Sequence, residues 1–377
     1  MDLAGVIAAT ERGACDSTSI HRCLEQASVV VLTELAQWGW LMPVTDRIPG
    51  VRRVLCASEA RLSAPMLSWD GCSEETAPRR AGDIRRYDMA QTSQPSFDIP
   101  TRRLSFDAAL SDLPKHFAAD GDLIQSHLAA ALSGVFPDGE DFFVASVRHY
   151  RDQITDPDLR RQVNGFIGQE SMHGRTHRAF NERLAALGYP TKFTERRIQF
   201  LLRQQQRFMS PERQLALTAA LEHFTATLAE LTLRDERTRE LLGHEAVRQL
   251  FVWHALEESE HKAVAFDVYR AVGGSEKLRV RVMRQVRVVF VASTALQVMI
   301  AVLADPASRR RGALKQSLQR FHRSPLWDRA VWQRLKDYDR YDFHPNDHDT
   351  VALVEEWRTM LFGESGELND LLAGSAA

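Results

Sequence analysis

Two short stretches of the chain place acidic and imidazole side chains in the middle of apolar helical patterns. The sequences QESMH and EESEH each contain Glu-x-x-His, which pairs Glu170 with His173 and Glu258 with His261. Steps of three and four residues place each pair on the same stripe as large apolar side chains. Burying an unpaired carboxylate is costly, and a metal ion is a common compensation. The pattern therefore predicts two helices that meet at one metal site.

The pattern around these motifs is helical almost throughout from about residue 104. Apolar residues recur three and four apart, and Pro, Gly or Asp stands where a helix must begin or end. No alternation typical of strands interrupts this pattern, so the predicted fold class is all-α. The segments expected to be helical are 121–134, 139–153, 157–187, 194–208, 211–232, 238–271, 275–304, 306–322 and 347–362.

A further glutamate precedes each motif at a similar distance. Glu140 lies 30 residues before Glu170, and Glu222 lies 36 residues before Glu258. Two-metal carboxylate bundles take one Glu from each of two helices and Glu-x-x-His from each of the other two. The order of motifs suits two antiparallel helix pairs joined by a longer connection, as a four-helix bundle requires. The candidate metal ligands are Glu140, Glu170, His173, Glu222, Glu258 and His261, with His177 as an additional candidate.

Simpler interpretations compete with this one. A single Glu-x-x-His occurs often on solvated helix faces, and Glu140 lies near a predicted helix start, where its charge would favour the helix dipole. Glu257 and Glu260 are typical of solvated charges, although Glu257 and Gln169 each precede a ligand glutamate and would suit acceptors that orient the two histidines. For the histidines at positions 177, 223 and 254, a core imidazole bonded to a carbonyl is as good an interpretation as a ligand.

Net charge and the distribution of apolar residues indicate which partners and which location to expect. With 48 basic and 50 acidic residues the net charge is −2, which gives no electrostatic footprint for nucleic acid. We expect a small-molecule substrate. The N-terminus lacks a basic start followed by an apolar core, so a cytoplasmic location is expected. The apolar run at 288–304 is short for a membrane span and predicts a buried helix that closes the bundle. Contact with a membrane surface and homodimer formation stay open.

The first hundred residues differ from the rest. All four cysteines precede residue 73 and have no CxxC spacing, which argues against a zinc knuckle or a disulfide framework in the later part. Residues 70–103 are rich in Pro, Ser and Arg, as linkers are. We expect 1–100 to be an appended or poorly structured extension, with Met89 as the natural start, and 101–371 to form a helical metal-binding domain.

The phrases FPDGEDFF, FIGQESMHGRTH, WHALEESEHKAVAFDVY and FHPND resemble the bacterial family of predicted metal-dependent hydrolases, whose site resembles that of ferritin-like carboxylate proteins. The resemblance spans roughly 102–362. It implies a ferritin-like four-helix bundle core with additional C-terminal helices, and it implies metal positions at the six residues given above.

The residues themselves favour a chemistry that differs from the family's label. No HExxH or Gly-x-Ser-x-Gly motif is present, while four carboxylates and two histidines suit two Fe or Mn ions that change oxidation state. The leading expectation is an oxygen-activating oxidase or oxygenase that acts on a small, lipophilic substrate. The alternative is a metal-dependent hydrolase in which a water that bridges the metals is the nucleophile. A metal-binding helical protein without catalysis is the third class.

Overall fold

The structure, a computed structural model, describes residues 98–373. Helices dominate this part of the chain and no strand occurs in it, which confirms the all-α prediction. The predicted extension at 1–100, including Met89, lies almost entirely outside the described residues. The α-helices found between residues 98 and 373 are α1 (Leu123–His149), α2 (Pro157–Ala186), α3 (Thr191–Phe208), α4 (Pro211–Arg234), α5 (Glu236–Leu241), α6 (Glu245–His261), α7 (Val264–Ala271), α8 (Glu276–Ala304), α9 (Ala313–His322), α10 (Arg329–Asp337) and α11 (Val351–Phe362).

Helices α1, α2, α4 and α6 surround the residues that the motifs single out. Helix α1 packs along α2 and helix α4 along α6. Within the second pair, Glu222 lies opposite His261 and Thr225 lies opposite Glu258, so the two helices run antiparallel. Helices α2 and α6 also run antiparallel, because His177 meets His254 and His173 meets Glu257. The antiparallel course of α4 and α6 agrees with the prediction for the second helix pair.

Local sequence signals fix where the central helices begin. Asp156 accepts hydrogen bonds from the backbone N–H groups of Asp158 and Leu159, directly before a proline at the first position of α2. Ser210 caps α4 in the same way, and a proline follows it too. Capping side chains satisfy N–H groups that have no partner within the helix, and proline at the first position has no N–H to satisfy.

Helix α1 is longer than the sequence predicts. FPDG was expected to separate two helices, but Pro137 lies inside one continuous helix. A proline inside a helix leaves the carbonyl four residues earlier without its N–H donor. That carbonyl, on Ser133, accepts a hydrogen bond of 3.0 Å from Nδ2 of Asn181 on α2. The side chain replaces the missing donor, so the prediction of a break is wrong.

Other helix boundaries also differ from the prediction. The segment 238–271 contains three helices instead of one, because the chain bends at a glycine in the left-handed region, Gly243, and again after His261. Helix α9 begins only at Ala313 because Gly312 adopts a positive φ there. Helix α10 was not predicted. The main ligand-bearing helix thus ends at His261, immediately after the second motif.

Helix α8 contains the apolar run at 288–304. Among the described helices it is the one that is long and apolar enough to cross a membrane. Its buried residues after position 288 are near its C-terminal end, from Val298 to Leu303, and they pack partly against Ile124 and Leu314. Val288 is 64% exposed. The prediction of a fully buried closing helix is therefore wrong, because only one end of the run is buried.

Replacing Asn181 by Ala should lower the free energy of unfolding by about 1–3 kcal/mol, since it leaves the Ser133 carbonyl buried without a donor. Thermal or urea unfolding followed by circular dichroism measures the effect. Asn164, an exposed residue on the same helix, gives the matched control Asn164→Ala, which should change stability by less than about 0.5 kcal/mol. Equal effects from the two substitutions would contradict the conclusion that Asn181 replaces the N–H donor missing at Pro137.

Candidate metal centre

All six predicted ligands lie in the core between the four central helices. Glu140, Glu170, Glu222 and Glu258 are each at most 4% exposed, and His173 and His261 are fully buried. Glu140 lies in the middle of α1, so the alternative that its charge favours a helix start is excluded. Gly174 on α2 lets Glu140 approach, since a Cβ atom there would lie 3.2 Å from Oε2 of this glutamate.

The ligand atoms converge into overlapping groups. Nε2 of His261 lies 2.9 Å from Oε1 of Glu170 and 3.5 Å from Oε2 of Glu222. Nδ1 of His173 lies 3.9 Å from Oε1 of Glu170 and 3.7 Å from Oε1 of Glu258. Within each of the groups His173–Glu170–Glu258 and His261–Glu170–Glu222, the candidate ligand atoms lie within 4.8 Å of one another. Glu170 is common to both groups and so lies between them.

Both histidines use one nitrogen for the protein and leave the other facing the carboxylates. Nε2 of His173 lies 3.0 Å from Oε2 of Glu257, and Nδ1 of His261 donates to Oε1 of Gln169 over 2.8 Å. The opposite nitrogens, Nδ1 of His173 and Nε2 of His261, have no hydrogen-bond partner. A ligating histidine typically donates its remote N–H in this way. The prediction that Glu257 and Gln169 orient these rings agrees with this geometry.

The carboxylates carry a charge that the described residues do not balance. Both oxygens of Glu140, Glu170 and Glu222 are buried without a hydrogen-bond partner. In residues 98–373 the ion pairs of these carboxylates are with histidines only. Burial and mutual repulsion raise the pKa of Glu140 and Glu222 well above its ordinary range. Uncompensated buried carboxylates of this kind fit a site for cations that prefer oxygen and imidazole ligands.

Glu258 differs from the other three carboxylates because a hydroxyl group donates to it. Thr225 donates its hydroxyl to Oε2, and Nε2 of His254 lies 3.0 Å from Oε1. Although burial opposes the shift, contacts with His254 and His261 hold the pKa of Glu258 well below its ordinary range. The carboxyl group is therefore ionised across the physiological range. Contacts with Glu170 and Glu258 likewise raise the pKa of His261 well above its ordinary value, against the effect of burial.

A second layer of charge supports the ring acceptors. Arg102 donates to Glu257 over 2.9 Å and to both oxygens of Glu260, and Arg358 donates to Glu260 over 2.6 Å. Burial raises the pKa of Glu257 to about 8, although Arg102 acts in the opposite direction. Glu260 is only 5% exposed, so the interpretation of it as a solvated charge is wrong. The arginines come from outside the four central helices.

Three further histidines are candidates from the sequence, with His177 favoured because it shares the stripe of Glu170 and His173, and the structure separates them. His223 lies apart and places Nε2 2.9 Å from the carbonyl of Arg334, as a core histidine does. His177 is not in either ligand group, and its Nε2 lies 2.7 Å from Nδ1 of His254. His254 itself points Nε2 at Glu258 and lies 3.8 Å from Oε1 of Glu140. Of the three, His254 lies nearest to the carboxylates.

A separate cluster was not predicted from the sequence. Nε2 of His116 and Nε2 of His127 lie 3.0 and 3.2 Å from Oδ2 of Asp305. Lys115 forms an ion pair of 3.1 Å with the same oxygen, so the carboxylate charge already has a cation. The two histidines and Asp305 come from different segments, and their spacing in the sequence forms no motif that would have indicated the cluster.

A cavity of about 120 Å³ reaches the carboxylates from one side. Its lining is mainly Leu, Phe and Ala, and three of its polar side chains are Thr225, His254 and Glu258. Phe136 lies in the lining with its ring 4.9 Å from that of His254. The candidate metal centre is therefore next to an apolar space on the side of His254 and Glu258.

Comparison with known proteins gives one finding. Residues 100–349 match the family model described as "Predicted metal-dependent hydrolase". No curated protein and no solved structure matches the chain. The matched residues include all four central helices and every candidate ligand. The chain therefore belongs to the family of predicted metal-dependent hydrolases.

Proposed function

We propose that the chain is a dinuclear, metal-dependent hydrolase that acts on a small, apolar substrate. The observation that carries the proposal is the convergence of carboxylate oxygens and imidazole nitrogens that have no hydrogen-bond partner among residues 98–373. Family membership supports hydrolysis over the oxygen activation that the sequence alone favoured. The site is proposed to be of the ferritin-like carboxylate type, with Glu170 shared between the two ions.

The candidate ligands fall into two sets, one for each ion. Glu140, His173 and Glu258 would hold one ion, and Glu222 and His261 the other. When bound, such ions act as Lewis acids and lower the pKa of a bound water. Glu257 and Gln169 keep the imidazole rings in the tautomers that present a lone pair to the site. Thr225 fixes one oxygen of Glu258, so that this carboxylate keeps one orientation.

The apolar lining of the cavity indicates which class of substrate would bind there. Apolar side chains surround the space in which a substrate would meet Glu258, so the desolvation of a charged substrate would have no compensation there. An ester or amide attached to an apolar body fits this lining. A strongly charged phosphoester does not.

Oxygen activation is the second candidate, and a specific observation favours it. The ligand set of four carboxylates and two Glu-x-x-His histidines is the one found in di-iron and di-manganese carboxylate bundles. Apolar surroundings would also suit a lipophilic substrate of an oxygenase. The two reactions differ in whether they require oxygen and a metal that changes its oxidation state.

We expect about two transition-metal ions per folded chain, as in other bundles with this ligand set. Glu170→Gln should reduce the content to below about one ion, because Glu170 would serve both positions. Elemental analysis of purified, folded protein measures the content. Glu182, an exposed glutamate on the same helix, supplies the matched control Glu182→Gln, which should keep the full content. A Glu170→Gln protein with unchanged metal would refute the dinuclear site.

Ester and amide probes with apolar bodies should be cleaved equally well with and without oxygen, and also with a redox-inert metal in the site. Glu258→Gln should lower kcat/KM by at least about 100-fold, since it alters both the metal site and the cavity wall. If the iron-loaded protein consumes oxygen and cleaves no probe, oxygen activation replaces hydrolysis as the function.

Removing the metal should make stability fall as the pH rises from about 6.5 to about 8. Unfolded glutamates are ionised above about pH 5, whereas burial and mutual repulsion raise the pKa of Glu140 and Glu222 well above the ordinary range in the metal-free fold. The folded state then binds more protons than the unfolded state, so the free energy of unfolding falls with increasing pH. Melting temperatures of chelator-treated and metal-loaded protein should diverge as the pH rises. A gap that narrows would contradict the raised pKa values.

A further inference from the structure

Three side chains outside the six predicted ligands form a hydrogen-bonded chain that ends at the metal centre. Asn181 donates from Nδ2 to the carbonyl of Ser133 over 3.0 Å and to Glu195 over 3.2 Å. Its Oδ1 is therefore the acceptor, and it receives the hydroxyl proton of Ser133 over 2.7 Å. Because the hydroxyl proton of Ser133 is donated to Asn181, the oxygen of Ser133 accepts a hydrogen bond from Nδ1–H of His177 over 2.9 Å.

The direction of this chain decides which nitrogen of His254 faces the metal centre. His177 is fully buried and donates Nδ1–H to Ser133, so Nε2 is the nitrogen that it turns towards His254. This Nε2 lies 2.7 Å from Nδ1 of His254, and the two nitrogens share one hydrogen. Nδ1 of His254 is thereby bonded within the protein, which leaves Nε2 as the nitrogen that faces the carboxylates.

Nε2 of His254 faces two of the glutamates. It lies 3.0 Å from Oε1 of Glu258 and 3.8 Å from Oε1 of Glu140. An imidazole nitrogen that converges with carboxylate oxygens in this way is placed as a ligand of a shared cation. Candidate ligand atoms of Glu140, His173 and His254 lie within 4.8 Å of one another, as those of the other groups do. The hydrogen-bonded chain thus orients His254 in the way typical of a metal ligand, with Nδ1 bonded to the protein and Nε2 directed at the carboxylates.

We propose that His254 is a third imidazole ligand, which makes one metal position richer in nitrogen than the other. The inference rests on the proposed dinuclear site and extends it. One ion would have Glu140, His173, His254 and Glu258 as ligands, and the other would have Glu222 and His261, with Glu170 between them. His254 and Glu258 also line the apolar cavity, so a substrate would meet the nitrogen-rich position.

The number of coordinated imidazoles can be counted in protein loaded with Co(II). A ligating histidine keeps its remote N–H, and Co(II) shifts the proton resonance of that N–H far outside the normal range. We expect three shifted signals that disappear in D2O. His254→Gln should remove one of them. Two signals in the wild type, or three in His254→Gln, would overturn the proposal.

Variants of the chain test the route by which His254 is held. Ser133→Ala removes the acceptor of His177 and should weaken one of the two ions by about 10–100-fold, the usual effect of losing a partner of a ligand. His223→Gln is the control and should keep both affinities, because it changes a buried histidine whose ring contacts the carbonyl of Arg334 and belongs to neither ligand group. Unchanged Co(II) affinities in Ser133→Ala would show that the chain does not position His254.

The Co(II) experiments distinguish a failure of the proposed dinuclear site from a failure of the proposed role of His254. If the protein binds no Co(II), the dinuclear site itself is wrong and the inference falls with it. If the protein binds two ions with two imidazole signals, the dinuclear site stands and only the role of His254 is refuted.

Discussion

The negative charge of four glutamates in a closed core is the constraint on which the rest of the structure depends. In residues 98–373, three of these carboxylates have no hydrogen-bond donor at either oxygen, and none of the four forms an ion pair with an arginine or lysine. A fold that keeps such charges together without a cation would lose several kcal/mol for each group. The helices are therefore organised around a position for cations, and their packing is stable to the extent that this charge is balanced.

Pro137 connects the course of the backbone with the chemistry of the site. Its missing N–H leaves the carbonyl of Ser133 free, and Asn181 is drawn to that carbonyl. The amide is thereby fixed with its oxygen towards the hydroxyl of Ser133, and this sets the direction of the hydrogen bonds through His177 to His254. A proline that breaks the regular pattern of α1 thus helps to determine which nitrogen of a distant histidine faces the metal site.

Sequence reasoning recovers the helical class and singles out side chains that the structure brings together, because both depend on short-range periodicity. The stripe that contains Glu170 and His173 follows from steps of three and four residues, and the repeat of the same motif at Glu258 and His261 gives the second half of the site. The boundary at Pro137 was wrong because its outcome depends on Asn181, which is 44 residues away. Local signals carry no information about that contact.

The buried state of Glu260 and the role of His254 were not accessible for a related reason. Glu260 is neutralised by Arg102 and Arg358, which are 158 and 98 residues away in sequence. His254 shares the stripe of Glu258, so periodicity identifies it as a candidate, but His177 shares the stripe of His173 in the same way. The contacts tell the two apart. His177 is bonded to Ser133 and to His254, whereas Nε2 of His254 is directed at Glu258 and Glu140.

This difference makes the two halves of the site unequal although their motifs are alike. On the side of His261, the ring ends at Gln169, and Glu222 has no donor. On the side of His254, Thr225 holds Glu258, and the apolar cavity reaches both residues. The proposed position with two imidazoles, His173 and His254, is therefore the one that a substrate in the cavity would meet. The proposed position of Glu222 and His261 would lie behind it in the closed core.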